Sequence, residues 1–133
     1  MIIPKKTVAE VVAEASKKMS DPNYSAVLVG SFVQQQRDAA QYVSAHAGEV
    51  GGAEGVVNTI FHASLIAQCF QKGYGRSVRA LTFADLDHAA ADDRETALRT
   101  KQPHVLEYIT ANVENAAIKN VLVLLALAME WAS

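Results

Sequence analysis

The chain has 133 residues, half of them apolar, with 12 basic and 14 acidic side chains and a formal charge of −2. That length suits a single helical domain over residues 1–133, burying roughly two thirds of its unfolded surface, with no room for a second. A balance this close to neutral, with no block of like charges, sets up no field for a phosphate backbone, so nucleic acid is not an expected partner.

The opening MIIPKKTVAEVV lacks the apolar run of a secretory leader, and its lysines follow rather than precede the short apolar stretch; a cytoplasmic location is expected. Thr7 followed by Glu10 has the capping-box pattern, and Val8, Val11, Val12 and Ala15 recur at helical spacing, predicting a first helix to about Met19. Asp21-Pro22 then reads as N-cap and first residue of a second helix. Its opening SAVLVGSFV has the β-branched content of a strand, so the period decides. At about 100° per residue Leu28, Phe32, Ala39, Val43 and His46 share one face, and Gly30, Gln34, Arg37, Asp38 and Gln41 lie opposite.

Four glycines in GEVGGAEG interrupt this pattern and read as a flexible connection. In outline they resemble a phosphate cradle before a helix, but they lack the Lys-Ser/Thr ending and follow a predicted helix instead of a strand. A third helix is predicted from about Ala53 to Lys72, with Gly73 beyond its end. Val57, Phe61 and Leu65 lie on one side, Val56 and Ile60 on another, Ile66 and Phe70 on a third, so this helix is expected to be central. Cys69, His62 and Asn58 share a side, but seven residues separate thiol from imidazole, about 10.5 Å along the axis and beyond hydrogen-bond reach. Cys69 therefore reads as a small buried hydrophobe. A lone cysteine forms no internal disulfide, as in a reducing compartment.

The segment QKGYGRSVRALT is the one local basic cluster. Lys72, Arg76 and Arg79, with Tyr74, are the candidate ligand-binding residues, for a small anion or an acidic protein surface. The plainer reading is solubilising loop charge. Thr82 with Asp85 signals a fourth helix reaching about Arg99. On it Asp85, His88, Asp92, Glu95 and Arg99 share one face, opposite Phe83, Leu86, Ala90 and Ala97. The stretch DLDHAAADDRE is read as a solvated face with local pairs His88–Asp92 and Glu95–Arg99, in preference to a metal site. Arg94 projects among Phe83, Ala90 and Leu98, where it either snorkels or pairs across an interface.

Pro103 restarts the chain as a fifth helix, and the asparagines of NVENAAIKN leave open whether it bends or continues to Trp131. Its apolar run, Val121 to Met129, covers about 13.5 Å of helix against roughly 30 Å of bilayer core, too short to span a membrane. Apolar on every side, it is expected to compete with the third helix for enclosure, since one domain of this size can hardly surround both. Part of it should therefore meet a second copy of the chain, with Val121, Leu124, Leu125 and Trp131 as the interface and Trp131 as anchor.

No H-x-x-x-H, E-x-x-H, G-x-S-x-G or P-loop pattern occurs, so neither a metal nor a cofactor is expected. The sequence reads as an all-α, single-domain bundle of about five helices. Its leading functional reading is a non-enzymatic interaction module that forms a homodimer. The rival is a small-molecule or anion-binding helical protein, with or without a catalytic activity, using the basic loop.

Overall fold

A computed structural model describes residues 1–90 and 92–133. Among the described residues the chain is all-helical, with no strand, and the expected count of about five helices is corrected to nine. Most of the difference comes from predicted helices that break in the middle.

Helix α1, Lys5–Lys18, begins after Pro4 and not after a capping Thr7. The carbonyl of Pro4 accepts from the amides of Thr7 and Val8. Docking of the N-terminus sets this start: Ile3 is fully buried, and its amide donates to Gln102 Oε1 at 2.8 Å. Asp21 does form a local turn, accepting from the Asn23 amide at 2.9 Å, but the second helix starts two residues later than Pro22.

That second helix is two, α2 at Tyr24–Gln35 and α3 at Arg37–Ala45. Gln36 leaves helical geometry at φ −126°, ψ 61° because its buried side chain serves a distant strand of backbone. Its Nε2 donates to the Arg79 carbonyl at 3.0 Å and its Oε1 accepts from the Leu81 amide at 2.7 Å. A buried amide side chain left unpaired costs a few kcal/mol, about what a helix break costs, so satisfying both ends decides the geometry.

The glycine stretch is a built corner, not a slack connection. A short helix α4, Ala47–Val50, runs into Gly51 and Gly52, both at positive φ, +99° and +79°. Gly55 then lies so close to α4 that a Cβ there would sit 1.7 Å from the Val50 carbonyl oxygen. Helix α5, Gly52–Tyr74, continues past the predicted stop at Gly73 and ends at Gly75, φ +74°. Gly73 stays helical because it faces Ile3, whose Cγ1 would be 2.8 Å from an added Cβ.

Thr82 and Asp85 make both hydrogen bonds of a capping box at the start of α6, Phe83–Ala89, as the sequence predicts. The helix then breaks, and α7 runs over Arg94–Lys101. Leu86 and Ala89 on α6 and Leu98 on α7 are all buried, and both helices pack on the last helix; two short segments can each lay an apolar face there. Helix α8, Pro103–Asn112, carries proline in its first turn. The open question at the asparagines resolves as a bend: Asn115 Oδ1 accepts from the Ala117 and Ile118 amides and starts α9, Ala116–Ala132.

Helix α9 is the axis of the molecule, packed against α4, α5, α6, α7 and α8. Helix α5 packs on α9 from one side and carries α1, α2, α3 and α4 on its others. The domain therefore encloses the middle of α9 but leaves α5 open near its start, where Val57 is exposed. Among the described residues no helix is long and apolar enough to cross a membrane.

Candidate functional site

The acidic stretch does not form one face. The break after α6 separates its members, and Asp85 and Glu95 take different partners. Asp85 is buried, with its two oxygens on the Arg79 guanidinium at 2.7 and 2.8 Å and Oδ2 also accepting from the Thr82 amide. The Arg79 guanidinium, helped by the Thr82 donors, holds the Asp85 carboxyl well below the usual carboxylate range. Glu95 pairs with Lys119 Nζ at 3.0 Å, across to α9, and not with Arg99 as expected. Asp92 is exposed. Among the described residues no three His, Cys, Asp or Glu side chains come together as a metal cage.

The basic cluster is also divided. Lys72 Nζ lies 3.6 Å from Glu14, the Tyr74 hydroxyl donates to Glu130 Oε2 at 2.9 Å, and Arg79 belongs to Asp85. Arg76 is exposed. Three of the four candidate ligand-binding residues, Lys72, Tyr74 and Arg79, thus point to three separate carboxylates. Arg94 heads α7, half-buried.

Cys69 is buried, and that burial pushes its thiol up to about 12, so it is not a nucleophile at neutral pH. His62, on the same side of α5, is taken by a residue the sequence reading passed over: its Nδ1 lies 2.7 Å from the Tyr108 hydroxyl on α8. Nothing local marks Tyr108, because its partner is 46 positions away.

Of the four predicted interface residues, three are interior. Val121, Leu124 and Leu125 are enclosed by the chain's own helices, while Trp131 in the last turn of α9 is 59 % exposed. Trp131 forms one wall of a cleft of about 340 Å³ whose apolar lining is Ala89, Ala97 and Leu127. The His88 ring lies against the indole, centroids 3.9 Å apart and planes 31° apart. Lys101 and Glu130 also line the cleft, one charge of each sign.

Glu130 is held in place from behind. Its Oε2 accepts from the Tyr74 hydroxyl at 2.9 Å and from Gln102 Nε2 at 2.7 Å. Gln102 is fully buried and spends its remaining hydrogen bonds on Ile3 and Met1 of the N-terminal segment. The cleft thus combines small apolar side chains, an aromatic side chain, a carboxylate held from behind and a lysine. No family, curated protein or solved structure matches this chain.

Proposed function

We propose that the protein is a non-enzymatic interaction module that associates with a second copy of itself through the Trp131 cleft. One observation carries this reading: the chain's only tryptophan stands 59 % exposed at the end of a helix whose middle is buried, backed by His88. Tryptophan is enriched among residues that dominate binding energy, and burying it against a partner removes a large apolar area from water.

The charges favour self-association over an unlike partner. A two-fold axis places the same patch on both protomers, so Lys101 of one copy can meet Glu130 of the other, twice, around the paired indoles. The other three predicted interface residues have no part in this contact, since the core already holds them.

Sedimentation velocity from micromolar concentration upward, with tryptophan emission read in parallel, tests the proposal. A dimer is expected, with emission moving to shorter wavelength as it forms, because the only tryptophan leaves water. Trp131→Ala should give a monomer, and Lys101→Glu should weaken the dimer by putting like charges together. A monomer at every concentration, or a dimer indifferent to Trp131→Ala, would overturn it.

A further inference from the structure

A second cleft lies on the other side of α5, between α1 and α8. Val12, Ala15 and Leu65 line it, and Ser16, His62, Tyr108 and Asn112 supply its polar groups. Its volume is about 140 Å³, close to the roughly 150 Å³ at which an apolar protein cavity holds one benzene ring. Met19 and Phe61 form a common edge with an open trough of about 610 Å³ along the start of α5, so a ring seated within has room for substituents outside.

The pair of His62 and Tyr108 has a defined sense. Burial lowers the His62 pKa and raises that of Tyr108, which keeps both groups neutral. Phenol is the stronger acid of the two and imidazole nitrogen the stronger acceptor, so Tyr108 donates to Nδ1 and the ring proton resides on Nε2. Among the described residues Nε2 has no protein hydrogen-bond partner, and no buried side-chain polar atom is left unpaired, so Nε2–H is accessible on a side chain that lines the cleft. The only charged side chain lining cleft or trough is Glu54, which disfavours an anion.

We propose that this cleft binds a small neutral molecule built of one ring and one hydrogen-bond acceptor, such as an aryl ketone or ester, with the acceptor on His62 Nε2. The site is independent of the Trp131 cleft. Acetophenone is the probe, with ethylbenzene lacking the acceptor and benzoate carrying a charge.

Titrated into isotope-labelled protein and followed by amide chemical shifts, acetophenone should saturate, moving residues of α1, α5 and α8. Ethylbenzene should bind about fivefold more weakly, the worth of one neutral hydrogen bond, and benzoate more weakly still. His62→Phe should bring acetophenone down to the level of ethylbenzene. Should that variant not fold, the imidazole nitrogen shifts of the unaltered protein serve instead: protonation at Nε2 is expected, and protonation at Nδ1 would overturn the assignment. Absence of saturable shifts, equal binding of ethylbenzene, or preference for benzoate would each sink the proposal. Trp131→Ala should leave acetophenone binding unchanged, and its loss in that variant would count against this site.

Discussion

Helices α5 and α9 look alike in sequence, each apolar nearly all the way round, yet the fold treats them differently. Helix α9 is buried through its middle, from Val121 to Ala126 and at Ala128 and Met129, and meets solvent at its ends, through Ala116 and Asn120 in its first turns and Trp131 in its last. Helix α5 is longer and open near its start, where Val57 is 49 % exposed and Phe61 is half-buried. Apolar content on every side of a helix therefore does not measure how central it is. Position among the neighbours does: α9 packs against five helices, whereas the first turns of α5 leave Glu54, Val57 and Asn58 exposed. Both candidate clefts lie where this cover runs out.

The largest effect expected from this contrast is in the middle of α9. Leu124→Ala removes a side chain with no exposure and should cost about 2–5 kcal/mol in urea unfolding, whereas Val57→Ala on α5 should stay within about 0.5 kcal/mol. Equal costs would break the comparison.

The next largest lies where α5 begins. Gly55→Ala should cost about 3 kcal/mol, because the new Cβ meets the backbone carbonyl of Val50 and neither helix can retreat without opening the corner. Gly30→Ala, in the exposed middle of α2 with open space beside it, should stabilise by about 0.5–1 kcal/mol. Tolerance of alanine at Gly55 would mean that the corner is slack after all.

A smaller effect concerns the cover of α9. Helix α6, which packs on it, is started by Asp85, and Asp85→Asn should cost about 1.5 kcal/mol at neutral pH. The folded carboxyl titrates below its unfolded value of about 3.9, so its contribution is complete above that pH and is lost as the pH falls toward the lowered folded value. Unfolding free energies of the two proteins should thus converge in strong acid. A gap that persists there would show that the loss is one of packing and not of the charged pair.

How much was legible depends on where each residue's partner lies. The Thr82–Asp85 box and Pro103 at the start of α8 could be read directly, because cap and partner are within three residues. The break at Gln36 could not, since its cause is a pair of hydrogen bonds to residues 43 and 45 positions away. The same applies to the extension of α5 beyond Gly73, which depends on Ile3. The pairing of Trp131 with His88, and the hold of Tyr74 and Gln102 on Glu130, likewise join segments distant in sequence.

By itself the sequence determined that this chain is helical and where α5, α6 and α8 begin, because 3.6-residue periodicity and end caps act over a few residues. Only the tertiary structure decided where the helices break, which of two equally apolar helices is enclosed, and which polar groups share a cleft. Those outcomes depend on satisfying buried hydrogen-bonding groups and filling space between elements far apart in the chain, and no local pattern records them.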